Sequence, residues 1–141
     1  MDLGKLLRGE YASRYLVVSH RWVDPSHPDK SMEKMEQLRD WLLNNRTVEG
    51  VWLDFACLPQ GKRTKTEKAL FRASLDLVNL LYLGLRVLIF YDQQYTGRFW
   101  CCYEAFLAMH EAYAGGIRTA QNDSGFMVIC LGASNDAAES S

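Results

Sequence analysis

Three short segments that follow apolar runs combine polar and aromatic residues, and residues of these types can do chemistry. They are residues 19–22 (SHRW), residues 54–61 (DFACLPQG) and residues 98–104 (RFWCCYE). Glu104 is the strongest catalytic candidate, because a carboxylate among apolar neighbours is a frequent site of perturbed ionisation. An ionised carboxylate in such a place stabilises positive charge that develops on a bound substrate.

Two interpretations of Glu104 remain open at this point. Glu104 stands about one turn into a predicted helix, where a carboxylate gains roughly 0.3–1 kcal/mol from the helix dipole and can pair with Arg98. Trp100 lies four residues earlier, on the same helical face. It either packs in the core or forms a wall that removes water from the carboxylate.

Other nucleophile and ligand patterns are weaker. His20 and Cys57 both follow predicted strands and can form a base–nucleophile pair, but no third orienting group is identifiable. Ser19 has no G-x-S-x-G surroundings, and neither G-x-G-x-x-G nor a Walker loop supplies a phosphate cradle. The four cysteines form no C-x-x-C pair, which argues against a metal site and favours buried free thiols in a reducing cytosol.

Alternating strand-like and helix-like segments position these residues. Apolar, β-branched runs predict strands at 14–19, 50–55, 86–91 and 126–131. The spacing of apolar residues predicts helices over 32–45, 67–83 and 99–114, with Ser31 as the N-cap of the first and Gly84 as the C′ residue of the second.

The order β-α-β-α-β-α-β predicts an α/β fold with a parallel sheet and helices on both faces. In such sheets ligands bind at the carboxyl ends of the strands, near the switch in strand order. The loops 19–30, 54–65 and 92–98 and the residues after 131 leave those ends, so we expect a site there.

The bulk composition fits one globular domain. The chain has 141 residues, 48% hydrophobic and 23% charged, and we assign 1–131 to the domain and 132–141, which are small and polar, to a flexible tail. The net charge of −1 argues against a nucleic-acid partner. No apolar run reaches the ~18 residues of a membrane span, and the N-terminus lacks a signal-peptide layout. We expect a cytoplasmic protein without a membrane partner.

In their order along the chain, the three segments resemble motifs of the Toll/interleukin-1 receptor (TIR) domain superfamily and of the related fungal heterokaryon-incompatibility (HET) domains. YLVVSHRW resembles the TIR opening that ends in Ser-Tyr-Arg, and Ser19 and Arg21 match it. VWLDFACLPQG resembles the second TIR strand and the start of the BB loop through Asp54 and Gly61. The same segment matches a HET pattern at Trp52, Asp54, Cys57 and Gln60, with Pro59 in place of Asn.

The third segment is the most specific. RFWCCYE resembles the Trp-x-x-x-Glu motif of TIR domains, whose Glu is the catalytic residue of NAD⁺-cleaving members, and Trp100 and Glu104 match it directly. Two features depart from the family. His20 and Trp22 differ from the opening motif, and the chain carries four predicted strands where TIR domains usually carry five.

The resemblance implies a flavodoxin-like, three-layer α/β/α fold with a four- to five-stranded parallel sheet. It implies an NAD⁺ nucleosidase that yields nicotinamide and ADP-ribose, or cyclic ADP-ribose, in immune or cell-death signalling, with NAD⁺ as substrate and no cofactor. Glu104 is the implied catalytic residue. The implied substrate-binding residues are Ser19, His20, Arg21, Trp22, Asp54, Cys57, Trp100 and Cys101. The BB-loop residues expected to join copies into a homo-oligomer through TIR–TIR contacts are Leu58, Pro59, Gln60, Gly61 and Lys62.

Three other functions remain open. The chain can be a non-enzymatic module that acts by homotypic TIR–TIR binding. It can also be a HET-like domain that senses a nucleotide without cleaving it. A deoxyribosyltransferase-like nucleosidase uses a similar sheet and a Glu, but it needs a second acid that holds the sugar, for which Asp54 and Asp92 are candidates.

Overall fold

The computed structural model describes residues 1–132, and its core is a four-stranded sheet whose strands are all parallel. The six strands of the described chain are β1 (Tyr15–His20), β2 (Gly50–Trp52), β3 (Arg86–Tyr91), β4 (His110–Tyr113), β5 (Gly116–Thr119) and β6 (Phe126–Cys130). The parallel sheet has the order β2-β1-β3-β6, while β4 and β5 form a separate antiparallel pair. This order is that of a flavodoxin-like sheet, so the predicted fold class is confirmed.

Helices cover both faces of the parallel sheet. They are α1 (Leu3–Leu7), α2 (Glu33–Leu43), α3 (Asp54–Cys57), α4 (Lys65–Gly84) and α5 (Phe99–Ala108). Residues of α2 pack against one face in a cluster of their own, and residues of α1, α4 and α5 pack together against the other. The result is the three-layer α/β/α arrangement.

The side chains of the central strands alternate between these two layers, as the two-residue repeat of a strand requires. Val17 and Val87 pack on the α4 and α5 side, and Leu16 and Leu88 on the α2 side. Both faces are covered, which explains why these strands appear in the sequence as continuous apolar runs. The alternation continues to the end of β1, so that neighbouring residues there serve opposite faces of the sheet.

The third predicted helix is too long. We expected it to span 99–114, but α5 ends at Ala108, and 110–119 form the β4–β5 hairpin. Gly115 lies in the turn of this hairpin, and Gly116 is the first residue of β5. Gly116 has φ of +130°, a conformation that residues with a side chain rarely adopt.

Two further boundaries were wrong. Strand β2 ends at Trp52 instead of residue 55, because Asp54 accepts a hydrogen bond from its neighbour's amide and begins the single turn α3. Gly84 lies inside α4 and does not follow it. A Cβ there would lie 2.4 Å from the carbonyl oxygen of Leu6, so this glycine permits α1, a helix that we did not predict, to pack on α4.

The start of α2 also differs from the prediction. Ser31 is not the N-cap, since the helix begins at Glu33 and its cap residue Met32 has a left-handed φ of 62° without a side-chain bond. Asp29 takes over the capping role, because its carboxylate accepts from the backbone amides of Lys34 and Met35 at 3.2 and 3.0 Å.

The cysteine prediction holds only in part. The four cysteines are free, but Cys101 alone is buried, whereas Cys57, Cys102 and Cys130 are exposed. Of the predicted tail 132–141, only Gly132 falls within the described residues. Within residues 1–132, no helix combines the length and the apolar character needed to cross a membrane.

Candidate active site

A cavity of about 450 Å³ opens at the carboxyl edge of the sheet. It lies above the ends of β1 and β2, and the side chains of α3, α4 and the start of α5 complete its walls. Its volume falls within the usual range of small-molecule sites. Of the predicted site residues, those that line it are His20, Arg21, Trp22, Asp54, Leu58, Gln60, Trp100, Cys101 and Glu104.

Glu104 reaches the cavity from the inner face of α5 and is half-buried. Its carboxylate accepts a hydrogen bond of 2.5 Å from the hydroxyl of Ser19, a fully buried residue beneath the cavity floor. Burial raises the pKa of Glu104 to about 7, against the opposing effect of the Ser19 and Tyr82 hydroxyls, and the negative charge of Asp54 adds to the rise. The carboxyl group therefore changes its charge near neutral pH.

The position of Glu104 follows from the anchoring of its helix. Cys101 and Leu107 stand three residues before and after it, and both are buried in the core on the sheet side of α5. The short 3₁₀ turn before the helix is fixed by Tyr95, whose hydroxyl donates to the Cys101 carbonyl oxygen at 2.9 Å. The predicted partner of Glu104 was Arg98, but the hydrogen-bond donor is Ser19.

Asp54 is the second carboxylate of the cavity and is held far more firmly. It accepts hydrogen bonds of 2.8 Å each from His20 Nε2, the Trp22 indole and the Phe55 amide. Burial alone would raise its pKa, but these bonds outweigh burial, and the pKa lies below its usual value. Asp54 therefore carries a charge at neutral pH and fixes the Trp22 ring at the cavity wall.

Behind Asp54, a buried lysine secures the loop that follows β1. Lys34 is 5% exposed, and its ammonium group donates to the carbonyl oxygens of Arg21 and Pro28 at 2.5 and 2.9 Å. It also lies 3.4 Å from His20 Nδ1, whose ring bonds Asp54 on its other side. Burial lowers the pKa of Lys34, and the nearby Asp29 opposes that effect. The sequence pattern did not indicate this role for Lys34, because a lysine in a helix is usually exposed.

Arg21 was predicted to contact substrate, and it does line the cavity, but its guanidinium already has a partner. It donates to both carboxylate oxygens of Asp92 at 2.8–3.1 Å. Burial acts to raise the pKa of Asp92, and the bonds from Arg21 outweigh it, so the pKa is lowered. This pair joins the ends of the neighbouring strands β1 and β3 beside the cavity.

Trp100 does not pack in the core, so that interpretation is wrong. It is 66% exposed and lines the cavity from the first turn of α5. Its ring lies 5.3 Å from that of Phe99 and 6.3 Å from that of Tyr103. The three rings form an aromatic cluster in which Phe99 and Trp100 are exposed and Tyr103 is partly buried against the core.

The predicted BB loop folds back on itself. Gln60 donates to the carbonyl oxygens of Asp54 and Leu58. Arg63, a few residues further along, donates to the Pro59 carbonyl oxygen at 2.8 Å. Its guanidinium also stacks on the Phe71 ring of α4 at 3.8 Å from the centroid. Of the five BB-loop residues, Pro59, Gly61 and Lys62 lie outside the cavity lining.

Cys57 lies apart from the other predicted site residues. It is exposed and faces a shallow groove beside α1 and α4. His20 makes its bonds to Asp54 and approaches Lys34, so the structure does not assemble the base–nucleophile pair that the sequence left open. Residues 1–132 contain no group of three or more His, Cys, Asp or Glu side chains placed to hold a metal ion.

Comparisons with known proteins add no family to this geometry. No protein-family model matches the chain, and no curated protein or solved structure gives a significant match. The resemblance to TIR and HET domains therefore rests on the motifs and their order along the chain, and it stays a prediction.

Proposed function

We propose that this chain binds NAD⁺ in the cavity and cleaves its nicotinamide–ribose bond, with Glu104 as the catalytic carboxylate. The observation that carries the proposal is the placement of Glu104: a half-buried carboxyl group, bonded to Ser19, that faces a cavity at the carboxyl edge of the sheet. Ligands bind at this edge in sheets of this order.

The chemistry needs little more than one placed negative charge. The nicotinamide of NAD⁺ is already cationic and leaves without a general acid. As its bond to ribose breaks, positive charge develops on the sugar, and a nearby carboxylate stabilises that charge. Glu104 must be ionised to act in this way, so its raised pKa makes the reaction depend on pH near neutrality.

The remaining cavity residues suit the other parts of a dinucleotide. The Trp22 and Trp100 rings line the cavity and offer faces for stacking on nicotinamide or adenine. Arg63 and Arg98 also line it and supply positive charge toward a pyrophosphate. Asp54 already accepts three hydrogen bonds, so we assign it the role of fixing Trp22 and the loop instead of contacting the reacting bond.

Release of nicotinamide from NAD⁺ tests the proposal. We expect the wild-type chain to release nicotinamide at pH 8, and Glu104→Gln to lose roughly a hundredfold or more, the usual effect of removing one electrostatic group. Glu36→Gln is the matched control, because Glu36 is exposed on α2 at the other face of the sheet. Equal rates in wild type and Glu104→Gln would refute the assignment.

Two other outcomes point to other functions. Thermal stabilisation by NAD⁺ without any nicotinamide supports a nucleotide-sensing domain. Neither stabilisation nor turnover, over a wide range of protein concentration, supports a module that acts through homotypic binding.

We also propose that the active form is a homo-oligomer. The support is exposed apolar surface on two helices: Phe99 of α5 is 73% exposed, and Leu70 and Leu77 of α4 are 58% and 59% exposed. Exposed apolar surface of this kind marks interaction sites. The activity per chain should rise with protein concentration, together with the molecular mass measured by light scattering. At a given concentration, Phe99→Ser should lower both the activity per chain and the mass. Full activity of a dilute monomer would contradict this.

A further inference from the structure

Three oxygen–oxygen contacts join Glu104 to the turn that precedes α5. Glu104 Oε2 lies 2.5 Å from Ser19 Oγ, and Ser19 Oγ lies 2.6 Å from Tyr95 Oη. Tyr95 Oη in turn lies 2.9 Å from the carbonyl oxygen of Cys101. Ser19 and Tyr95 are 0% and 2% exposed, so bulk water does not replace either member of this chain of contacts.

The number of hydrogens decides which way the chain of contacts is oriented. Each hydroxyl supplies one hydrogen, and the Cys101 carbonyl supplies none. When Glu104 is protonated, it donates to Ser19, Ser19 donates to Tyr95, and Tyr95 donates to Cys101. All three contacts are then hydrogen bonds. When Glu104 is ionised, two hydrogens serve three contacts, and one contact is left without a hydrogen in every arrangement.

We propose that Tyr95 is a positioning residue that acts through Ser19: its hydroxyl favours the protonated form of Glu104 and thereby sets the pH at which Glu104 becomes charged. Tyr95 gains a hydrogen bond on both sides when Glu104 is protonated. When Ser19 instead donates to the ionised carboxylate, Tyr95 has one hydrogen for two contacts. It then makes a hydrogen bond either to Ser19 or to the Cys101 carbonyl oxygen, but not to both.

The two hydroxyls should therefore act on Glu104 in opposite directions. Without the Tyr95 hydroxyl, Ser19 donates to the carboxylate and leaves no contact unfilled, so the pKa of Glu104 falls. Without the Ser19 hydroxyl, the carboxylate loses one of the two hydroxyls that stabilise its charge, so the pKa of Glu104 rises. Neither substitution replaces any of the other titratable or charged groups that face Glu104 or line its cavity. These are Tyr82 on α4, Asp54 on α3, Arg63 in the loop before α4, Cys101 and Arg98 at the start of α5, and His20 and Arg21 at the end of β1.

The test is a carbon-13 NMR titration of the glutamate side-chain carboxyls in the full chain without NAD⁺, in which Glu104→Gln assigns the Glu104 signal. We expect Tyr95→Phe to lower the Glu104 midpoint by about one pH unit, which is ~tenfold in proton affinity. Ser19→Ala should raise it. Tyr91→Phe is the matched control, since Tyr91 is exposed and its ring lies 5.9 Å from that of Tyr95.

An unchanged or raised midpoint in folded Tyr95→Phe overturns the proposal. If that variant does not fold, Ser19→Ala decides, because an unchanged midpoint there shows that the chain of contacts does not act on Glu104.

The consequence for catalysis rests on the proposed function. Below the wild-type midpoint, Tyr95→Phe should release nicotinamide several-fold faster than wild type, because more of its Glu104 is ionised, whereas a loss of packing alone would slow it. The two proposals fail separately. Midpoints that shift as stated with no nicotinamide release refute only the activity, and release without the shift refutes only the role of Tyr95.

Discussion

The two carboxylates of the cavity, Glu104 and Asp54, have opposite ionisation behaviour although neighbouring residues of one strand hold them. Ser19 lies on the α4 and α5 side of β1 and gives Glu104 one hydrogen bond. His20 lies on the α2 side and gives Asp54 one of its three. Burial raises the pKa of Glu104 to about 7. Burial also acts to raise that of Asp54, but the three bonds hold it below its usual value.

The difference shows that the supply of donors, and not burial alone, decides which acid stays charged. A carboxylate with several N–H donors is stable as an ion, whereas Glu104, which the Ser19 and Tyr82 hydroxyls stabilise only in part, is not. Sites that separate the pKa values of two acids in this way assign them different roles. Here the separation makes Asp54 a structural anion and leaves Glu104 as the acid that changes its charge near neutral pH, the one to which we propose to assign the reaction.

We expect the largest effect on stability from a substitution at Asp54. Asp54→Ala removes the acceptor of three hydrogen bonds and leaves His20 and the Trp22 indole without their partner, so we expect the free energy of unfolding to fall by about 3 kcal/mol. Chemical denaturation measures this. Asp54→Asn should recover part of the loss, and Asp76→Ala, at an exposed position on α4, should cost little. A loss for Asp54→Ala no larger than that of the Asp76 control would show that these bonds do not stabilise the fold.

Substitution of Glu104 should have the opposite effect on stability from substitution of Asp54. The folded chain binds the Glu104 proton more tightly than the unfolded chain, because the pKa is raised from 4.5 to about 7. Between pH 4.5 and about pH 7, Glu104 is ionised in the unfolded chain but still protonated in the folded chain. The stability that comes from the tighter binding of this proton is therefore present in acid and is lost as the pH rises through about 7. Glu104→Gln removes the penalty. It should stabilise the fold at pH 8 by about 1–2 kcal/mol, after allowance for partial exposure, and have little effect at pH 5.

Melting temperatures at these two pH values, with Glu36→Gln as the control, measure the difference. A Glu104→Gln variant that is less stable than wild type at pH 8 would mean that the ionised carboxylate is well satisfied, like Asp54.

The smallest effect concerns the cavity mouth. Trp100 is largely exposed, so Trp100→Ala should change the unfolding free energy by less than about 0.5 kcal/mol. If its ring stacks on the dinucleotide, the same variant should nonetheless raise the KM for NAD⁺. A large loss of stability would show that Trp100 packs in the core. An unchanged KM for NAD⁺ would show that its ring does not contact the substrate.

The sequence predicted the elements that are buried on both faces and the segments that follow them. Strand β3 has the predicted bounds, because a continuous run of apolar residues needs layers on both sides. The hairpin was missed because its apolar residues continue the helical spacing of α5, and the period alone does not separate the two structures. The segments 19–22 and 98–104 do meet at one cavity, as their place after strands led us to expect.

The partners that set the charge of Glu104 were not predictable in the same way. Ser19 and Tyr95 are 76 residues apart in the chain, and Ser19 and Glu104 are 85 apart. Tyr95 lies in a predicted turn with no pattern that indicates burial. Lys34 stands among polar residues of a helix, and its burial follows only from how the loop after β1 folds over it. Local periodicity does not contain such long-range contacts.

The pH profile of nicotinamide release is the most direct test of Glu104 as the catalytic carboxylate, because it relates the rate of the reaction to the charge on this one side chain. We expect the rate of the wild-type chain to rise with pH through a midpoint of about 7, where Glu104 ionises, and the rate of Glu104→Gln to show no such rise. A wild-type rate that is flat across this range, or a variant that keeps the same rise, would contradict it.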